Sequence, residues 1–368
     1  MSIPQFHSLT VQRVTPQAAG AVSVTLAVPH DLRARFDFKP GQFLTLRASI
    51  DGQPVRRSYS ICSSTQLLAD AQAIEVGIKP VTGGVFSNWA CQSLQVGHTL
   101  DVMPPDGRFC SRLPSGTGAH RVGFAAGSGI TPILSMIESG LRTDPSARFT
   151  LVYGNQKVDS ILFNERLQDL KDSYPARLSL IHVLSRQSQD VPLLNGRLDA
   201  AKVTELLQTL LPVADIDEVF ICGPEGMIDS TEQTLLAAGL AKEKIHTERF
   251  VSAGSTAPSS PRVANTAAAS APSEAAPVAL DVVIDGKTHS MGMQTSDKLL
   301  DVALAAGLDL PYSCKGGVCC TCRGRILEGR VAMEKNFTLE KWEVDKGFVL
   351  TCQARPLTPR VVVSYDER

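Results

Sequence analysis

Along the first third of the chain, apolar positions alternate with polar ones or run in short stretches bounded by turn residues: LTVQRV, SVTLAV, QFLTLRASI, AIEVGIKPV and TLDVMPP. Alternation with a period of two marks strands that bury one face. Asp51-Gly52 reads as a hairpin turn and Pro40-Gly41 as a second break. Short strands at even intervals, with little helical periodicity, predict an antiparallel β-barrel over residues 1–115. The rhythm then changes. RVGFAAG, RFTLVYG, LSLIHVLS and EVFICGP are apolar runs of strand length, and each is followed by a segment of helical period: ITPILSMIESGL, ILFNERLQDLKDSY, AAKVTELLQTLL and MIDSTEQTLLAAG. Such alternation predicts right-handed βαβ crossovers and an α/β domain with a parallel sheet over residues 116–251.

Residues 252–277 are almost entirely Ala, Ser, Pro, Thr and Gly, too little apolar surface to offset the entropy of ordering, and predict a flexible linker. As a coil this stretch spans about 28 Å r.m.s.. In the final segment, residues 278–368, LDVVIDGKTHSM predicts a hairpin turning at Asp285-Gly286. DKLLDVALAAG predicts an amphipathic helix with Ser296 or Asp297 as N-cap and Gly307 as C-cap, stopped for good by Pro311. One helix across a small sheet predicts an α+β domain of β-grasp type. The chain is thus expected to be multi-domain.

Composition narrows the function classes. With 368 residues, 43% hydrophobic, 20% charged and a net charge of −1, the chain has the profile of a soluble globular protein of two or three domains. Neither a nucleic-acid footprint nor an attraction to acidic lipid is expected. The opening MSIPQFHSLTVQR lacks a secretory pattern, and there is no apolar run of about 18 residues, so no membrane span is expected. Five of the nine cysteines, Cys62, Cys91, Cys110, Cys222 and Cys320, are scattered and odd in number, which suits a reducing cytoplasm.

The remaining four carry chemistry. Cys314, Cys319 and Cys322 are spaced C-x4-C-x2-C, and Cys352 follows on a distant apolar segment, the plant-type arrangement for a 2Fe-2S cluster. Thiolates are the soft ligands that two tetrahedral irons need. Gly316 and Gly317 let a tight loop turn its amides toward sulfur. A structural zinc site is the alternative, but such sites pair two C-x2-C knuckles or mix in His, and here there is one knuckle and no nearby His. Cys320 is read as a bystander thiol.

Three further stretches point to nucleotides. Arg57-Ser58-Tyr59-Ser60 offers a guanidinium for a pyrophosphate, a ring to lie along a flat heterocycle and a hydroxyl for a ring nitrogen; a surface Arg and a core Tyr are the alternative. Gly83, Gly84 and Ser87 form a turn into the helical SNWACQSL, whose N-terminus suits phosphate. Gly127-Ser128-Gly129-Ile130-Thr131-Pro132 lies between the first strand and first helix of the βαβ run, where a pyrophosphate meets a helix N-terminus. Cys222-Gly223 ends the fourth strand at the same expected edge; Cys222 is either a small buried hydrophobe or a thiol beside a nicotinamide. A nicotinamide delivers two electrons and a 2Fe-2S cluster takes one, so a flavin is expected between them.

In this order these motifs resemble the ferredoxin-NADP reductase superfamily fused to a C-terminal plant-type ferredoxin. FHSLTV, RRSYSIC, AAGSGITP, FICGP, ERF and PYSCKGGVC are similar, more narrowly, to the reductase subunits of bacterial phenylacetyl-CoA epoxidases. The resemblance implies FAD held by Arg57, Tyr59, Ser60, Gly83, Gly84 and Ser87, and a nicotinamide nucleotide lined by Gly127, Gly129, Thr131, Cys222 and Gly223. Ser60 near the flavin N5 and Cys222 are its implied catalytic residues, and Phe250 its cover for the flavin face. NADPH is the implied donor: no Asp or Glu follows LVYGNQ to bind a ribose hydroxyl, and Ser185-Arg186 is placed for a 2′-phosphate. The implied partner is a diiron oxygenase that epoxidises phenylacetyl-CoA. The alternatives are a reductase for another monooxygenase or ring-hydroxylating dioxygenase, and a redox-responsive binding module holding zinc.

Overall fold

A computed structural model describes residues 5–250 and 278–367. The expected linker, residues 252–277, lies outside the described residues. What is described falls into two compact units, the first holding a barrel and a parallel sheet and the second the C-terminal domain.

The barrel comprises β1 (His7–Pro16), β2 (Val22–Ala27), β3 (Phe43–Ile50), β4 (Gln53–Ser60), β5 (Ala73–Ile78) and β6 (Thr99–Val102), with α1 (Thr65–Ala71) and α2 (Val85–Ser93) between strands. Its six-stranded antiparallel sheet runs β4-β3-β6-β1-β2-β5. An Ile61–Val76 bridge and the Cys62 N–H bonded to the Glu75 carbonyl at 2.8 Å draw the two edge strands together. Leu9, Val24, Leu26, Leu44, Leu46 and Phe86 fill the interior with no exposed surface, each worth about 1.5–3 kcal/mol of apolar burial. Strand β4, which carries Arg57, was not resolved in the sequence pattern because only Ser60 of its eight residues is buried, and α1, at seven residues, covers only about two helical turns.

The second sheet has β7 (His120–Ala126), β8 (Arg148–Asn155), β9 (Leu178–Leu184), β10 (Glu218–Gly223) and β11 (Ile245–Arg249), all parallel in the order β11-β10-β7-β8-β9. Helices α3 (Ile130–Thr143), α4 (Asn164–Ser173), α5 (Ala200–Thr209) and α6 (Glu225–Ala237) link the strands. Strand β11 went unrecognised in the pattern because only Ile245 and His246 of its five residues are buried. Eleven residues of α3 are buried, the mark of a helix covered on all sides; it lies between the sheet and the barrel, packed with Ala21, Cys62 and Phe109 from the barrel side. The segment leaving the barrel is fastened by the buried Glu218 carboxylate. It accepts from Ser111 Oγ at 2.6 Å and the Arg112 N–H at 2.8 Å, bonds His246 Nε2 at 2.9 Å, and pairs with Arg121.

The C-terminal unit contains β12 (Val278–Ile284), β13 (Lys287–Met293), α7 (Leu299–Ala305), β14 (Arg323–Glu328), β15 (Val331–Met333), α8 (Lys341–Asp345), β16 (Phe348–Leu350), β17 (Ala354–Pro356) and β18 (Arg360–Ser364). Its main sheet runs β13-β12-β18-β14-β16, with β12 and β18 parallel, and α7 packs Leu299, Leu300 and Ala303 into the core. The hairpin turn falls at Asp285-Gly286 as expected. The helix cap differs from expectation: Lys298 is the N-cap of α7, because the Asp297 carboxylate instead accepts the Gln294 N–H at 2.8 Å. Ala306 is the C-cap, and Gly307 follows it at φ +84°.

Candidate functional site

The cysteine loop is shaped by β14 and β16. These strands pair antiparallel with Arg323 opposite Leu350, so Cys322 and Cys352 lie just beyond the end of the ladder, tied by the Thr351 N–H to the Cys322 carbonyl at 3.2 Å. That pairing brings in the distant fourth cysteine. Gly317 sits at φ +81°, and a Cβ there would lie 3.0 Å from the Lys335 carbonyl, so the loop needs glycine on both counts. The Gly316 amide donates to Cys314 Sγ at 3.3 Å.

The four thiols come as two pairs. Hydrogen bonding from Cys319 draws the Cys314 thiol down to about 6, and Cys322 likewise lowers Cys352, while their partners are pushed well above the ordinary thiol range. Cys319 also acts on Cys322 and Cys314 on Cys352, so the pairs are neighbours. Among the described residues no three His, Cys, Asp or Glu converge on a position for one metal ion. Two pairs of thiols suit two irons better than one zinc. The Thr321 side chain hydrogen-bonds Cys319 and favours its thiolate, the form a cluster ligand takes. The residues present therefore fit the cluster. Gln353, invisible to motif spacing, ties the site: its amide donates to the Lys315 carbonyl at 2.8 Å and reaches Cys352 Sγ at 3.5 Å. Cys320 is half-buried, with its backbone in the left-handed region at φ +56°.

In the other unit, the sheet order puts β7 and β10 side by side with their crossovers leaving in opposite directions, the switch point where such sheets bind ligands. The loops after these strands touch. A Cβ on Gly129 would lie 2.0 Å from the Cys222 carbonyl oxygen, so only glycine allows the approach. Gly127, at φ +52°, presents its carbonyl to Tyr153 Oη at 2.8 Å, and its missing Cβ would stand 3.7 Å from Lys79 Nζ of the barrel. Thr131 opens α3 against Gly77 of β5. Gly223 packs against Ala126 and Met227.

On the barrel, Arg57 and Tyr59 share one face of β4 and Ser58 and Ser60 the other. Arg57 is exposed, its Nη1 on the Arg56 carbonyl at 2.7 Å. The Tyr59 ring stands 5.6 Å from that of Phe86 on α2, and burial pushes its phenol pKa up. Gly83 (φ +73°) and the α2 N-cap Gly84 thus come near Tyr59, and Ser87 Oγ accepts the Val81 N–H at 3.3 Å. Ser60 Oγ donates to Glu248 Oε2 of β11 at 3.2 Å. Burial pushes the Glu248 carboxyl up to about 8. Cys222 is fully buried and its thiol is raised by burial and then by Glu248, and Cys110, raised to about 11, feels the same two influences. Ser60, Cys110, Cys222 and Glu248 are therefore one cluster, of which Cys110 and Glu248 were not singled out from sequence; the only trace of the latter is its place in ERF, two residues before Phe250. Phe250 follows β11 with 39% of its surface exposed. Ser185 and Arg186 are not drawn into this cluster: their amides bond the Asn155 and Gln156 carbonyls, each at 2.9 Å, at the end of β8.

Comparison with known proteins matches each part. Family models match as an oxidoreductase FAD-binding domain over residues 12–110, an oxidoreductase NAD-binding domain over 124–233, and a 2Fe-2S iron-sulfur cluster binding domain over 282–357. One component of the 1,2-phenylacetyl-CoA epoxidase of Escherichia coli (strain K12) is 42% identical, over 99% of this chain and 98% of that one. The ferredoxin reductase component of the Rhodococcus rhodochrous 3-ketosteroid-9-alpha-monooxygenase is 35% identical, over 97% and 96%. Among solved structures, phthalate dioxygenase reductase shares the fold at a TM-score of 0.58 and 21% identity, over 98% of both chains. No helix among the described residues is long and apolar enough to cross a membrane.

Proposed function

Because the chain belongs to the family of oxygenase reductase components that carry FAD-binding, NAD-binding and 2Fe-2S cluster domains, we propose that it is the NADPH-dependent reductase of a diiron phenylacetyl-CoA epoxidase. When bound, the flavin supplies the conversion between the two-electron hydride of a nicotinamide and the single electrons that a 2Fe-2S cluster carries. Arg57, with Ser58, Gly83, Gly84 and Ser87, holds the FAD phosphates, and Tyr59 lies along the isoalloxazine. Ser60 would donate toward the flavin N5 with its hydroxyl turned from Glu248, whose carboxyl, holding a proton near neutral pH, would then donate to Ser60 Oγ. Gly127, Gly129, Thr131, Cys222 and Gly223 line the nicotinamide nucleotide, and Phe250 shields the flavin face. Cys314, Cys319, Cys322 and Cys352 ligate the cluster. What supports the reading most is the approach of Gly129 to Cys222 at the switch point, beside the Ser60–Glu248 hydrogen bond.

The epoxidase partner rests on the 42% identity with the Escherichia coli protein across nearly the whole chain. Anaerobic titration with NADPH should bleach both flavin and cluster absorption, and addition of the phenylacetyl-CoA epoxidase oxygenase, substrate and oxygen should yield epoxide. Product with a 3-ketosteroid or ring-hydroxylating oxygenase and none with the epoxidase would give the chain to another system. The donor rests on Arg186, exposed beyond β9. Arg186→Ala should raise KM for NADPH about tenfold and leave that for NADH nearly unchanged; equal shifts would remove Arg186 from the phosphate site.

A further inference from the structure

The barrel and the parallel sheet meet along one face of α3, and the contacts there run in register. Thr131, Ser135 and Glu138 are spaced four and three residues apart on that face, with Ser139 beside them. Opposite, Glu75 and Gly77 point to the same side of β5. At the nucleotide end, Gly77 leaves room for the Thr131 methyl, which a Cβ would approach to 2.7 Å. In the middle, Ser135 Oγ donates to the Ser63 carbonyl at 2.6 Å and the Thr65 N–H to Ser139 Oγ at 3.1 Å. At the far end two buried carboxylates face each other, Glu75 of the barrel and Glu138 of α3. Arg166 from α4 stands between them, its Nη1 donating to Glu75 Oε2 at 2.7 Å and its Nε to Glu138 Oε2 at 2.9 Å, with Nη2 on the same oxygen. Arg142 donates to the other oxygen of Glu138 at 3.1 Å. The guanidinium of Arg166 opens on a cleft of about 830 Å³ between the same elements.

We propose that Arg166 is a positioning residue: by bridging Glu75 and Glu138 it sets the register of α3 on β5, and through α3 the approach of the Gly127–Thr131 loop to the barrel. Helix α3 starts at that loop, and about 10 Å of rigid helix separates Thr131 from Glu138. Without the guanidinium, two buried carboxylates repel at one end of this rod, and the other end carries the nucleotide. A misplacement of about 1 Å is enough to cost a transfer about a hundredfold. The residues assigned to the dinucleotide lie within the parallel-sheet domain, so its affinity is spared. The inference rests on the functional reading above.

The test is Arg166→Ala in the full-length chain carrying FAD and cluster, followed by anaerobic stopped-flow reduction with NADPH. Wild-type flavin reduction is measured first, and its absence defeats the functional reading itself. Given a working wild type, the variant should lose about tenfold to a hundredfold in limiting rate with KM within about threefold. Millimolar guanidinium, entering by the cleft, should restore the rate. Hydrogen exchange at the Thr65 amide should quicken in the variant and slow again with guanidinium. A limiting rate within about twofold of wild type, a loss confined to KM, or failure of guanidinium to rescue overturns the proposal. Should Arg166→Ala not yield a folded flavoprotein, Arg166→Lys decides: it keeps the charge but not the two-armed bridge, and is expected to lose about fivefold in rate at unchanged KM, a wild-type rate overturning the proposal.

Discussion

Between Cys314 and Cys322 one loop supplies three sulfurs, and a single antiparallel pair, β14 with β16, returns the fourth. Ser60 and Glu248, by contrast, meet from β4 and β11 at a separation of 188 positions, and Cys110 and Cys222 join them from two further segments. The difference is in what each site depends on. The cysteine loop carries its geometry in its own glycines and amides, whereas the Ser60 cluster exists only while the barrel and the parallel sheet hold register through α3. Substitutions far from the chemistry should therefore reach the second site and leave the first alone.

The largest expected effect separates the two outright. Cys314→Ser should cut cytochrome c reduction by about a hundredfold or more while flavin reduction by NADPH stays within about twofold, because the cluster lies downstream; parallel losses in both would mean the sites are not independent. Next comes Gly129→Ala, whose Cβ would stand 2.0 Å from the Cys222 carbonyl. It should slow flavin reduction about tenfold and destabilise the first unit by about 1–3 kcal/mol, seen by stopped flow and thermal melting, with cluster absorption unchanged. Its counterpart, Gly317→Ala at φ +81°, should cost the C-terminal unit about 1–2 kcal/mol in a melt and leave flavin reduction untouched. The last test is a pH dependence. Burial raises Glu248 from the ordinary 4.5 to about 8. The folded state therefore holds a proton that the unfolded chain releases, so the contribution is full below pH ~4.5 and is lost as pH rises through ~8. Glu248→Gln should flatten that decline in Tm, and an identical decline in the variant would place the titrating group elsewhere.

What could be read from the chain follows the same division. C-x4-C-x2-C and GSGITP are local and keep their meaning wherever the rest folds, and the strand–helix rhythm gave the parallel sheet. Glu248 could not be read, because nothing in IHTERF announces that a carboxylate will meet the Ser60 hydroxyl. Arg166 looks like an ordinary surface residue of ERLQDLKDS until Glu75, 91 positions away, comes to face it. Two elements fail for a different reason: α1 has seven residues, about two helical turns, and only two of the five in β11 are buried, so no alternation shows. At α7 neither cap candidate, Ser296 or Asp297, was taken, because the Asp297 carboxylate turns back to the Gln294 amide and the helix starts after Lys298.

The Glu218 carboxylate sets an order of events during folding. It fastens Ser111 and Arg112, at the exit of the barrel, from a position more than a hundred residues further on. A growing chain can close the barrel before the parallel sheet exists, since all its strand pairs lie between His7 and Val102, but the exit segment has no anchor until β10 is made and inserted beside β7. Contacts of such separation form late. The hinge between the first two domains should thus be the last part of this unit to become protected, and a chain truncated before Glu218 should carry a completed barrel with a loose tail.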